Sequence, residues 1–446
     1  MAAEVLRFPP GFLWGTATAA HQVEGQLRND WSEWEKTPGN VKDGTDSSRS
    51  CEWWSGRYEE DLNLAKVMHQ TTLRLSIEWS RIEPEQGAWD SQAIDRYRAM
   101  LGALRERGIE PMVTLFHFTS PLWLAERGGW ENDEAVRLFE RFAAQAVDAF
   151  GDLTSLWCTI NEPNVYATYS YLLGVWPPQG RNLLTTLRVL RNQMRAHQVV
   201  YRAIHERQPE AKVGLAQHLR IFDPPHPRSI LDRWAAGLQD RLFNQLVLEP
   251  PAKGILPFPL GLGTALPGGA DAQDYIGLNY YSRDMVSFDV TQPGLLFTRR
   301  STMADADFSM EGWGEIYPEG LYRLLKRLER YGKPIYITET GVPDNDDSLR
   351  PRFLLTHLAA THRALLEGVP VKGFYFWSLV DNFEWAEGFS ARFGLVHLDL
   401  ASGKRTLKQS GKLYSQVCEA GGISREMVDA YAPDLATQLL ASDSAD

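Results

Sequence analysis

A chain of 446 residues, 43% hydrophobic and 23% charged, has the make-up of a soluble globular protein, long enough for one large domain or two to three ordinary ones. The 46 Lys and Arg against 57 Asp and Glu leave a net charge of −11, which argues against nucleic acid and anionic membranes as partners and says little about a neutral substrate. No apolar run approaches the ~20 residues of a membrane span, no basic and apolar leader stands before Pro10, and Cys51, Cys158 and Cys418 form neither a disulfide framework nor a metal pattern, so a cytoplasmic protein is expected.

In chain order, an apolar strand is predicted at 12–16, followed by a long insertion over 18–56. A second strand at 72–76 leads to a helix whose Ile94, Tyr97, Leu101 and Leu104 share one face. Gly108 and Pro111 stop that helix before a third strand, 112–116, which ends at His117. A helix at 133–150, a buried strand from Leu156, a helix at 184–207 and strands at 212–216 and 275–279 follow. A second long insertion covers 282–314, then a helix at 316–331. The glycine and proline turn returns at 332–334 before Ile335-Tyr336-Ile337, and at 368–370 before a last strand at 373–377. Eight strands alternating with helices predict an α/β fold with a parallel sheet closed into a single (β/α)8 TIM barrel. The barrel is placed at about 8–421 of one domain spanning 1–446, with 422–446 as a short C-terminal extension that docks or frays. A doubly wound sheet is the alternative, weakened because no Gly-x-Gly-x-x-Gly follows the first strand.

Thr159-Ile160-Asn161-Glu162-Pro163 puts an amide and a carboxylate at the mouth of a buried strand, and proline disfavours α geometry at Glu162. A buried, unpaired carboxylate costs several kcal/mol or changes its pKa. A helix-capping glutamate is the bland alternative. A second such stretch, Tyr336-Ile337-Thr338-Glu339-Thr340-Gly341, shifts the balance. In a barrel, polar residues at strand C-terminal ends face one pocket: Gln22, Arg74, His117, Asn161, Glu162, Asn279, Tyr281, Glu339, Trp377 and Glu384. Two carboxylates facing one pocket suit glycosidic bond cleavage, one protonated to donate to the leaving oxygen and one ionised to attack the anomeric carbon.

With these residues the chain resembles the glycoside hydrolase family 1 β-glycosidases from about Phe8 to about Gly421. The resemblance rests on Phe12-Leu13-Trp14-Gly15-Thr16 with His21-Gln22-Val23-Glu24-Gly25, on the two glutamate stretches, and on Trp377-Ser378 with Asp381-Asn382-Phe383-Glu384-Trp385 and Arg392-Phe393-Gly394. It implies a retaining exo-β-glycosidase with no metal or organic cofactor. Glu162 would be the general acid/base, raised by ionised Glu339; Glu339 would be the nucleophile, held ionised by Arg74 and hydrogen-bonded by Tyr281, with Asn279 supporting Tyr281. Asn161 would bind the sugar 2-hydroxyl. Gln22, His117, Glu384 and Trp385 would clamp the non-reducing sugar over a Trp377 floor, with Phe393 in support. The carboxylate of Glu384 would repel a 6-phosphate, and Glu162, where thioglucosidases carry Gln, points to O-glycosides. The expected partner is thus an unphosphorylated β-glucoside, small or oligosaccharide, with β-galactosides and β-fucosides as further candidates; a homo-oligomer is left open.

Departures from the family pattern stand at Phe118-Thr119-Ser120 in place of Trp-Asp-Leu, at Thr340 in place of Asn, at Glu78 where Ser is common, and at Trp313-Gly314-Glu315, one residue longer than usual. A sugar-binding protein that has lost catalysis is the rival reading, which the intact set Glu162, Glu339, Arg74 and Tyr281 disfavours. A transglycosidase is not separable by sequence.

Overall fold

A computed structural model describes residues 5–303, 306–310 and 313–440. Eight parallel strands close on themselves: β1 (Leu13–Ala17), β2 (Thr72–Ser76), β3 (Glu110–Phe116), β4 (Leu156–Asn161), β5 (Lys212–His218), β6 (Tyr275–Asn279), β7 (Ile335–Thr340) and β8 (Val371–Trp377). Each pairs with its sequence neighbours, and β8 closes against β1 with Phe376 opposite Thr16. All eight predicted strands are present, some longer by one to three residues. The β4 strand is buried along its whole length, as expected of a strand covered on both faces.

The predicted helices wrap the barrel as α1 (Ser91–Glu106), α2 (Glu134–Phe150), α3 (Leu183–Arg207) and α4 (Pro318–Leu328), and a further helix, α5 (Arg350–Leu366), precedes the last strand. Asp90 caps α1 by accepting from the amides of Gln92 and Ala93, and Gly108 just past its end takes φ +74°. Leu138, Phe139, Phe142, Val147 and Phe150 on α2 are buried, each contributing about 1.5–3 kcal/mol of apolar transfer. The helix predicted over 316–331 spans α4 and continues as one 3-10 turn, Glu329–Tyr331.

The C-terminal extension docks rather than frays as far as it is described. Its strand Gly422–Ser424 pairs antiparallel with Val5–Arg7, and Met427 and Val428 of the following helix are buried. Residues 441–446 lie outside the described part. Both long insertions stand over the C-terminal ends of the strands, as barrel architecture requires. The second holds two strands not predicted, Arg283–Phe288 and Thr298–Ser301, which form a three-stranded sheet with Ile221–Asp223.

Candidate active site

The C-terminal mouth of the barrel opens into a cavity of about 640 Å³. His117, Asn161, Glu162, Tyr281, Glu339 and Glu384 line it, and so do Trp377, Trp385 and Phe393. The strand pairing explains the convergence: Asn279 at the end of β6 lies opposite Glu339 on one side and His218 on the other. Glycine at 341 is required by close approach, since a Cβ there would fall 2.1 Å from the Trp377 carbonyl oxygen.

Arg74 organises one half of the site. It is fully buried on β2, and its fork gives Nη1 to Glu339 Oε1 and Nη2 to Asn161 Oδ1 at 2.7 Å. The Tyr281 hydroxyl donates to Glu339 Oε2 at 2.8 Å. Both Glu339 oxygens therefore accept from the protein, which favours the carboxylate. Burial, with the Glu162 charge adding to it, pushes Glu339 up to about 7 against the pull of Arg74 and Tyr281. Burial and the Glu339 charge push the Tyr281 phenol well up, so it remains a donor at neutral pH.

Glu162 sits just beyond β4 in the left-handed region, φ 43° and ψ 59°, with Pro163 opening the next helix. Its side chain caps no backbone amide, so the capping alternative fails. Instead Oε1 accepts from Asn279 Nδ2 at 2.9 Å and contacts His218 Nδ1 at 2.9 Å. Among the described residues Oε2 has no hydrogen-bonding partner. Asn279 thus supports Glu162, not Tyr281 as expected, because its amide is turned by Thr338 Oγ1 donating to Oδ1 at 2.6 Å. Its Nδ2 also reaches Asn161 Oδ1 at 3.1 Å.

Two donors on Asn161 Oδ1 fix that amide, so Nδ2 faces His117 Nε2 at 3.0 Å. Burial, then the Arg74 charge, holds His117 well below the usual imidazole range. Its Nδ1 is buried with no protein partner, and so is Gln22 Oε1. Such atoms call for a polar ligand. Gln22 itself does not line the cavity; it is fully buried behind Glu384, giving Nε2 to Glu384 Oε2 at 3.2 Å and to the Phe383 carbonyl at 2.9 Å. Trp377 Nε1 donates to the same Glu384 oxygen at 3.3 Å. Burial pushes the Glu384 carboxyl up to about 8, against the Trp377 hydrogen bond. His117 stacks between Trp377 and Trp385, with ring centroids 5.9 Å from each. Phe393 meets Tyr281 and Trp313 edge to face.

Among the described residues no group of three His, Cys, Asp or Glu side chains is placed to hold a metal ion. What this arrangement offers is a pair of carboxyls in one cavity: one with both oxygens engaged, one with a free oxygen.

The model of glycosyl hydrolase family 1 matches residues 5–261 and 265–423. The chain belongs to glycosyl hydrolase family 1. It is 35% identical to β-glucosidase A of Thermotoga maritima over 94% of this chain and 99% of that protein. It is 34% identical to the 1,4-β-D-glucan glucohydrolase of Thermotoga neapolitana over 94% and 99%. The solved β-glycosidase from Pyrococcus horikoshii superposes with a TM-score of 0.88 at 35% identity, over 96% of this chain and 98% of that one. This family 1 chain is an O-glycoside hydrolase of the β-glucosidase type.

Two of its departures from the family pattern meet. Glu78 Oε2 accepts from Thr119 Oγ1 at 2.8 Å, while Oε1 accepts from Ser80 Oγ at 2.8 Å. Two positions that depart from the expected pattern thus meet in one carboxylate–hydroxyl contact. Phe118 packs its ring 5.1 Å from Trp385 and 5.0 Å from Trp176, keeping an aromatic wall. Thr340 buries a hydroxyl without a partner. Trp313 lines the cavity in spite of the longer segment around it.

His218 is the functional residue that sequence reasoning missed. The fifth strand was ended at Ala216, and two more residues of the same strand bring His218 to the mouth. Continuing β5 to match its neighbours would have revealed it.

Proposed function

We propose that the chain is a retaining exo-β-glycosidase acting on unphosphorylated β-D-glucosides, with Glu339 as nucleophile and Glu162 as general acid/base. The observation that carries this is the difference in how the two carboxyls are held. Glu339 has Arg74 on one oxygen and Tyr281 on the other, the environment of a carboxylate that must be ionised to attack. Glu162 has Oε1 engaged by Asn279 and Oε2 free, the environment of an acid that hands a proton to a leaving oxygen. Attack of Glu339 on the anomeric carbon breaks the glycosidic bond as Glu162 protonates the departing oxygen. Glu162 then takes a proton from water, which attacks the glycosyl-enzyme and frees Glu339.

The exo mode is supported by the blind end of the cavity. Glu384 and Trp377 sit there with Gln22 behind, backed by buried Asn382 and Phe383. The unpartnered Nδ1 of His117, which lines the cavity, suits a hydroxyl of one terminal sugar. The glucan glucohydrolase name of one relative agrees with release of glucose. Burial makes a charged Glu384 costly, yet at neutral pH a sugar phosphate would be no better accommodated, because among the described residues no cation contacts Glu384. The test is hydrolysis of a panel of 4-nitrophenyl glycosides with Glu339→Gln run beside the parent. Turnover of the neutral β-glucoside, abolished by the substitution, is expected. Silence on every neutral β-sugar from folded protein would overturn the reading, and turnover confined to the 6-phosphate would overturn the place given to Glu384.

A further inference from the structure

Facing the blind end, the opposite wall of the cavity carries two arginines. In a ring of eight, β5 lies four strands from β1, so the residues that follow β5 stand across from Gln22. His218 at the end of β5 touches Glu162, and Arg220, two residues on, lines the same cavity. The three-stranded sheet above the barrel completes the wall. Its strand Ile221–Asp223 starts right after Arg220, Asp284 pairs with Phe222 on the middle strand, and Arg300 pairs with Val286 from the outer strand.

Both guanidinium groups lean on one carboxylate oxygen and neither is satisfied by it. Asp284 Oδ2 is 3.4 Å from Arg220 Nε and 3.6 Å from Arg300 Nη1, yet among the described residues Oδ2 accepts no hydrogen bond and buried Nε has no hydrogen-bond partner. No hydrogen bond from the Arg220 guanidinium is made among the described residues. Arg300 gives Nη2 to Gln239 Oε1 at 2.7 Å and lies over the Phe222 and Phe243 rings, with its side chain half exposed in the cavity mouth. Among the described residues, two cations and one anion leave this wall a net positive charge. Among the described residues the other carboxyls lining the cavity are Glu162, Glu339 and Glu384 within it, and Glu387, which pairs with Lys42.

We propose that Arg220 and Arg300 form an anion-binding leaving-group subsite, and that this enzyme acts on β-glucosides whose leaving group carries a carboxylate. The inference rests on the exo-β-glucosidase reading above. Guanidinium forks match the planar carboxylate, and Phe243 and Trp313 beside them offer apolar faces to an aromatic or sugar ring. The anion belongs on the leaving group because, among the described residues, no cation contacts Glu384 at the sugar end, whereas two guanidinium groups stand on this wall.

The test pairs each acidic substrate with its neutral counterpart. The first pair is 4-carboxyphenyl and 4-carbamoylphenyl β-D-glucoside; the second is glucose β-1,4-linked to glucuronic acid, and cellobiose. The ratio of kcat/KM, acidic over neutral, is compared between parent and Arg220→Gln or Arg300→Gln, which cancels the intrinsic reactivity of each leaving group. A fall in this ratio of about tenfold for either variant is expected, from loss of a charge-assisted contact. The parent ratio should fall similarly in 1 M NaCl, where screening acts within ~3 Å. A preference confined to the first pair assigns the subsite to aromatic acids, and to the second, to uronates. A ratio unchanged by substitution and by salt overturns the inference. If Arg220→Gln does not fold, the half-exposed Arg300→Gln and the salt series decide alone. No turnover of either neutral substrate would fail the glucosidase reading instead.

Discussion

Replacing Tyr281 by Phe removes one oxygen and little else. The ring keeps its stack on His218, 5.6 Å between centroids, and its edge contact with Phe393. What is lost is the 2.8 Å hydrogen bond to Glu339 Oε2, one of the two donors that hold this carboxyl down to about 7 against burial. A hydrogen bond to a charged group is worth about 1.5–3 kcal/mol. At about 1.4 kcal/mol per pKa unit, its removal raises Glu339 by roughly one to two units. The nucleophile reacts ionised, so the active form lies above this pKa and the acid limb of kcat/KM moves to higher pH. The profile of 4-nitrophenyl β-glucoside hydrolysis from pH 5 to 10 reads this directly. At pH 7 the variant is expected to be down by roughly tenfold or more, with part of the loss recovered towards pH 9. A plateau lowered uniformly, with the acid limb unmoved, would refute the claim that Tyr281 acts on the charge of Glu339.

Three further outcomes are expected. Arg74→Met leaves Glu339 buried without its cation, which costs about 3–5 kcal/mol. Urea unfolding at pH 8 should show this loss, and at pH 5, where Glu339 is protonated, a smaller one. Glu384→Gln keeps an acceptor for Trp377 and Gln22 but does not titrate. A carboxyl at about 8 in the fold against 4.5 for an ordinary glutamate contributes stability that is present below about 4.5 and lost as pH rises through about 8. The variant should therefore gain on the parent between pH 5 and 9 by about 2–4 kcal/mol, seen as a widening Tm difference. A constant difference would show that Glu384 does not keep its proton in the fold. Thr119→Asp sets a second carboxyl against Glu78 and should destabilise, while adding Glu78→Ser again leaves one carboxyl facing one hydroxyl. A double-mutant cycle by denaturation should give a coupling of about 1 kcal/mol or more, and additivity would deny that the two positions act as one contact.

Much of this enzyme is legible in one dimension. Alternating apolar strands and amphipathic helices, with Gly and Pro between them, fix eight βα units, because period and turn chemistry are local properties. The glutamate stretches are equally plain, since a polar pair ending a buried strand is costly wherever it occurs. His218 escaped because the end of β5 is set by pairing with β4 and β6, not by its own residues. The role of Asn279 depended on which way an amide turns, and Thr338, a neighbour 59 residues away, decides that. How far burial pushes Glu339 up against the pull of Arg74 depends on the water that the packed site excludes, which no single segment shows. The two arginines of the outer wall, 80 positions apart, are brought onto one carboxylate by a sheet that no periodicity announced. The sequence by itself determined which residue types stand at strand ends, hence the fold and the family. Tertiary structure alone decided which donor meets which oxygen, and so how charge is distributed, because hydrogen-bond partners and desolvation are properties of the closed barrel and not of any segment within it.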